Sequence, residues 1–173
     1  MNPQAHAPVA SESEAYFTYS LPGLLPEGAL LVFNPALGTL VYLDYDRDQH
    51  IPRLVAEQQF TPMEVCLLRP LLATYPDYCA YEVLHASFYR SSDSPPLDLR
   101  DPSVASSRKR LEAMRRQGQW HNEMRPVRNV LSRTRLKLHA FSLDVRSILE
   151  TGCLLMPLRQ RRQTELALNG KGE

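Results

Sequence analysis

The sequence predicts an α+β domain: a small antiparallel sheet, three core helices with a further helix inserted among them, and a C-terminal β-hairpin. Three observations predict it. Two β-prone runs, Leu30–Phe33 and Thr39–Leu43, flank the turn chemistry of Asn34-Pro-Ala-Leu-Gly38. Apolar residues recur at three- and four-residue spacing in separate stretches between Thr61 and Phe141. Two short strand-like runs between Asp144 and Met156 surround Leu149-Glu-Thr-Gly152.

The first 28 residues are rich in Pro, Ala, Ser and Glu and read as a mobile arm, although Tyr16–Tyr19 has the composition of a short edge strand. After the hairpin, Asp44–Asp48 reads as a polar turn and Arg53–Ala56 as a third strand. Thr61-Pro-Met-Glu64 opens a helix. The threonine hydroxyl can cap free amides, proline suits the first helical position, and the glutamate can reach back to close a capping box. Met63, Leu67, Leu68, Leu71 and Leu72 form its apolar stripe, and Pro70 is expected to kink or shorten it. Tyr75–Tyr78 is a turn. A second helix, about Ala80 to Tyr89, buries Val83 and Leu84.

Ser91–Pro96 is a loop, and Asp101-Pro102 starts a helix that ends near Gly118. Trp120, the only tryptophan, reads as a packing anchor. The next helix is predicted from about Pro126 to Phe141. Val127, Val130, Leu131, Thr134, Leu138 and Phe141 share one of its faces, and most of its basic residues lie outside that stripe. The tail from Arg159 is basic and then polar.

The formal net charge of +1 conceals an asymmetry. Residues 1–100 hold 5 Lys/Arg against 12 Asp/Glu, a balance of −7. Residues 101–146 hold 11 against 4, a balance of +7. A basic block on an otherwise acidic chain suggests an anionic partner for that block.

Other function classes find little support. HExxH, GxSxG, P-loop and GxGxxG patterns are absent, and seven glycines leave little from which to build a phosphate-cradling loop. No sequence pattern sets a nucleophile beside a base, so no enzyme is expected. Cys66, Cys79 and Cys153 are odd in number and widely spaced, which points to small buried hydrophobes rather than a disulfide framework or zinc site. No metal or other cofactor is expected. No apolar run approaches the roughly 20 residues of a membrane span. The N-terminus lacks a signal-peptide pattern, so a cytoplasmic protein is expected.

Four segments, in order, carry a family resemblance. They are Phe60-Thr-Pro-Met-Glu-Val-Cys-Leu-Leu68, Glu82-Val-Leu84, Leu131-Ser-Arg-Thr-Arg-Leu-Lys-Leu138, and Ile148–Leu155 with Gly152. Over residues 29–157 the chain resembles the DNA-binding domain of OmpR/PhoB-type response regulators. The resemblance implies a winged helix-turn-helix, with a helix at about Arg125–Phe141 in the major groove and the hairpin as a wing. It implies a sequence-specific transcriptional regulator. Base readout would fall to Arg125, Arg128, Asn129, Ser132 and Arg133. Arg135 and Lys137 would contact phosphates or form salt bridges within the domain, and Arg146 would reach the backbone or minor groove. Arg108, Lys109, Arg110, Arg115 and Arg116 would widen the basic footprint or remain a solvated helix face. The implied partners are double-stranded DNA and a second copy or a protein such as RNA polymerase or another regulator; no membrane partner is expected.

This sequence departs from the family pattern at several places. Thr134 stands where a large apolar residue is usual, Cys153 replaces the wing tyrosine, and Glu150 puts negative charge near the wing tip. Residues 91–123 form an insertion, no phosphoacceptor receiver domain is read, and residues 158–173 are expected to be a flexible tail. The insertion, Glu150 and the acidic N-terminal half leave open an alternative, a protein-interaction module within a nucleic-acid-associated complex.

Overall fold

The computed structural model describes residues 16–45, 51–90, 97 and 100–158. The expected loop at 91–96, most of the polar turn after Asp44, residues 1–15 of the N-terminal arm and the tail from 159 lie outside the described residues. The fold is α+β, with four α-helices and two antiparallel sheets among those residues.

The first sheet has the order β1-β2-β3-β4, from Phe17–Tyr19, Ala29–Asn34, Thr39–Tyr45 and Pro52–Gln59. β2 and β3 form the expected hairpin, Asn34 opposite Thr39. Asn34 Oδ1 accepts from the Leu37 amide at 3.0 Å, which folds the turn back on itself. Gly38 has φ +67°, and a Cβ there would lie 2.3 Å from the Phe60 carbonyl oxygen, so the turn can close onto the next segment only without a side chain. The arm expected over residues 1–28 is partly built into the domain. β1 pairs with β2, and Leu21 and Leu25 are buried in the core. Burying two leucines offsets the ordering cost of a segment whose composition reads as mobile.

Helix α1, Pro62–Thr74, begins with the predicted capping box: Thr61 Oγ1 accepts from the Glu64 amide, and Glu64 Oε2 accepts from the Thr61 amide at 2.9 Å. It runs unbroken through Pro70, contrary to any shortening there. Val65, Leu67, Leu68 and Leu71 are almost fully buried, which sustains the helix across the lost backbone bond. The two-residue β5, Cys79–Ala80, leads into α2, Tyr81–Phe88. Helix α3, Pro102–Arg116, is capped by Asp101, whose Oδ1 accepts from the Ser103 amide at 2.9 Å.

Helix α4, Trp120–Leu138, is followed by a 3-10 turn, His139–Phe141. It starts earlier than the Pro126 expected from sequence. Pro126 is exposed, so the carbonyl its missing N–H leaves unpaired faces the solvent side, where water can satisfy it. Strands β6, Leu143–Ile148, and β7, Gly152–Pro157, form a hairpin, and β5 adds a third strand in the order β5-β7-β6. A Cβ on Gly152 would lie 2.2 Å from the Cys79 carbonyl oxygen, so glycine is what lets β7 close on β5. Glu150, at the hairpin tip, takes the left-handed conformation at φ +54°.

Cys66, Cys79 and Cys153 are buried. Burial, with the Cys153 sulfur close by, pushes the Cys79 thiol up to about 12. None of the three thiols should react with an aromatic disulfide reagent in the native protein at neutral pH, and all three should react in denaturant. Immediate release of a thiol equivalent from native protein would contradict the burial of these cysteines.

Candidate nucleic-acid interface

α4 has a buried apolar face and an exposed, mainly basic face, on which Leu136 is the exception at 67% exposed. Met124, Val127, Val130, Leu131 and Leu138 are buried, each contributing roughly 1.5–3 kcal/mol of apolar transfer energy. Thr134 is fully buried among them, and its hydroxyl donates to the Val130 carbonyl at 3.1 Å. That bond explains how a polar residue occupies a core position without an orphaned donor.

The opposite face is exposed and basic. Arg125, Arg128, Asn129, Ser132 and Arg133 all lie on it, so the structure brings the predicted base-reading residues together. His121, Arg125, Arg128, Asn129 and Ser132 line one shallow concavity. Arg125 donates to Asn122 Oδ1 at 2.9 Å, Arg128 approaches His121 Nδ1 at 3.5 Å, and Ser132 Oγ donates to the Arg128 carbonyl at 2.9 Å. Arg133 has no ion pair among the described residues. The stretch from His121 to Arg133 spans about 18 Å of helix. His121 and Asn122 escaped the sequence reading because the helix was started at Pro126. The spacing of Trp120, Met124 and Val127 is the signal that extends it.

Arg135 and Lys137 do different work. Arg135 makes a bidentate pair with Asp144, at 2.5 and 3.1 Å, and Asp144 is only 5% exposed. Lys137 Nζ reaches Glu64 Oε2 at 2.6 Å and the Gln59 carbonyl at 2.8 Å, and Glu64 is 3% exposed. Of the two roles left open for them, the geometry supplies the intradomain bridge. Burial alone would raise both carboxyls. For Glu64 the Lys137 ammonium and the Thr61 amide outweigh it, and for Asp144 the Arg135 guanidinium and His139 do, so both are held below the usual range.

The inserted helix spends most of its basic residues the same way. Arg108 pairs with Glu82 at 3.1 Å, Arg110 pairs with Glu123, and Arg115 approaches Glu150 at 3.6 Å and donates to its carbonyl at 3.1 Å. The Arg110 guanidinium, helped by His85, holds the Glu123 carboxyl below the usual range. Lys109, Arg116 and Arg146 are exposed, with no ion pair among the described residues. Arg146 lies on β6, opposite Leu154.

One arrangement has no precursor in the sequence reading, which set no nucleophile beside a base. His85 is 3% exposed, with Nδ1 3.0 Å from Ser107 Oγ and Nε2 3.1 Å from Glu123 Oε1. The three residues come from α2, α3 and α4, too far apart in sequence to form a motif. The order serine, histidine, glutamate is that of a hydrolytic triad. Ser107 lies mid-helix, however, where neighbouring amides are committed to the helix and do not form an oxyanion hole. The chain acts as a polar clamp that fastens the inserted helix to α2 and α4.

Comparison with protein-family models, curated proteins and solved structures finds no match to this chain. Among the described residues, no helix is long and apolar enough to cross a membrane.

Proposed function

We propose that the chain is a sequence-specific DNA-binding regulator with a winged helix-turn-helix architecture, in which α4 enters the major groove and the β6–β7 hairpin is the wing. The observation that carries this reading is the exposed face of α4, where three arginines, an asparagine and a serine lie together without an acidic residue. A helix about 10–12 Å across suits a groove of about 12 Å. Arginine can pair with guanine O6 and N7, and asparagine with adenine N6 and N7, so this face has both chemistries of base readout. Arg146 and the exposed Arg116 and Lys109 supply further phosphate contacts.

With about four phosphates neutralised, affinity for duplex DNA should fall about a hundredfold between 50 and 200 mM salt. Retention insensitive to salt would argue against the reading. The Arg115–Glu150 contact makes a second expectation. Glu150→Gln removes the negative charge at the hairpin tip and leaves the Arg115 charge unbalanced there, held only by the backbone carbonyl of residue 150, so affinity should rise about threefold to fivefold and the salt slope should steepen by about one. An unchanged affinity would place the hairpin tip away from DNA.

A second reading, a protein-interaction module, draws on β4. This edge strand exposes Leu54 and Val55 beside Ile51, which is 64% exposed. Recovery of a stoichiometric protein partner without salt-sensitive DNA retention would decide for it.

A further inference from the structure

We propose that Leu136 reads a thymine, by packing against its C5-methyl group at the C-terminal end of the exposed face of α4. The inference rests on the proposal that α4 enters the major groove, and it adds to that reading a base that an apolar side chain selects.

Leu136 is 67% exposed and is the one exposed large apolar residue of α4. Single apolar residues scattered over a surface are ordinary, so its position carries the argument. At 3.6 residues per turn, each residue turns the helix by about 100°. Leu136 therefore points about 180° away from the fully buried Val127, outward from the centre of the exposed face. It falls within about 40° of Arg125, Asn129 and Ser132. The four side chains form one outward line, in which a leucine follows an arginine, an asparagine and a serine.

The chain neighbours of Leu136 are turned back into the domain. Arg135 is paired with Asp144 and Lys137 with Glu64, and both carboxylates are buried. These bridges fix the last turn of α4, so Leu136 is presented from a rigid backbone and meets a partner with little further ordering.

A duplex offers this position one apolar group. On the major-groove edges of the bases the hydrogen-bonding groups are donors and acceptors, and the thymine C5-methyl alone is apolar. A leucine laid over an amino group or a carbonyl takes it out of water without a partner, which costs free energy. Laid over the methyl group, it removes two apolar surfaces from water together. Leu136 lies about 10 Å along the helix from Asn129. At about 3.4 Å per base pair, the thymine falls within about three base pairs of the base that Asn129 contacts.

Uracil in place of thymine removes this methyl group and keeps the pairing with adenine. The full chain is used to select a site from random-sequence duplex DNA, and each thymine of either strand is then replaced in turn by uracil. One replacement should weaken wild type about threefold to fivefold, the worth of one buried methyl group. Leu136→Ala should lose a similar amount on the thymine site and show no difference between thymine and uracil at that position. Its thermal unfolding should match wild type, since the leucine is exposed. Selection with Leu136→Ala should return the same motif relaxed at that thymine alone, and selection with Asn129→Ala should relax a position no more than about three base pairs away. Absence of salt-sensitive binding to any duplex would overturn the groove assignment of α4 and this inference with it. A selected site that binds as tightly with uracil at every position, or discrimination between thymine and uracil that persists in Leu136→Ala, would overturn this inference alone.

Discussion

Arg128→Glu and Arg133→Glu should each lower affinity for a selected DNA site by about two orders of magnitude or more and erase the preference for that site. Each substitution removes a proposed bidentate base contact, worth about 1–3 kcal/mol of discrimination, and adds like-charge repulsion against the phosphates. The fold should be unaffected. Both side chains are exposed, Arg133 has no ion pair among the described residues, and Arg128 makes only a long contact with His121. Thermal unfolding should therefore shift by no more than about 0.5 kcal/mol equivalent. Variants that hold a selected site as tightly as wild type would remove α4 from the interface. Variants that lose binding together with stability would show these arginines to be structural.

The second large effect concerns stability. Lys137→Ala should destabilise the domain by about 2–3 kcal/mol, because it leaves the Glu64 carboxylate buried with only the capping-box bonds to support it. Arg135→Ala should cost a similar amount through Asp144, roughly 2 kcal/mol, with His139 and the Val145 amide remaining as partners. The pH dependence distinguishes this from a packing defect. Both carboxyls titrate lower in the folded protein than their ordinary values of 4.5 and 3.8. Their contribution is thus present above those values and is lost as pH falls through the folded ones. Wild-type stability should decline from about pH 4.5 downward. The deficit of Lys137→Ala should narrow over the same window, because protonating an unpaired buried carboxylate relieves it. Urea melts followed by Trp120 fluorescence at pH 7 and pH 3.5 measure this. A deficit that stays constant across that range would contradict the ion-pair account.

The elements legible in the sequence are those whose determinants are local. The Asn34–Gly38 turn, the Thr61–Glu64 capping box and the Asp101 cap each declare themselves within five residues, and each occurs in the structure. What escaped depends on distant partners. Glu64 reads as a capping residue, yet it also receives Lys137 from 73 positions away. A basic residue on a helix looks the same in sequence whether it meets phosphate or a buried carboxylate. β5 is two residues long, too short for any periodicity, and exists because β7 lies beside it. Leu21 and Leu25 look like isolated apolar residues in a polar arm until the core closes over them. The readable part of the site is its amphipathic helix. The clamp through His85 required three helices to be in place.

The central claim is that the exposed face of α4 reads base sequence. Selection from random-sequence duplex DNA at two salt concentrations, run in parallel on wild type and Arg133→Glu, tests it most directly. Wild type should enrich one motif at both concentrations, more sharply at the higher, where non-specific binding is suppressed. Arg133→Glu should enrich none. Failure of wild type to enrich any motif, or recovery of the same motif by both proteins, would contradict the account.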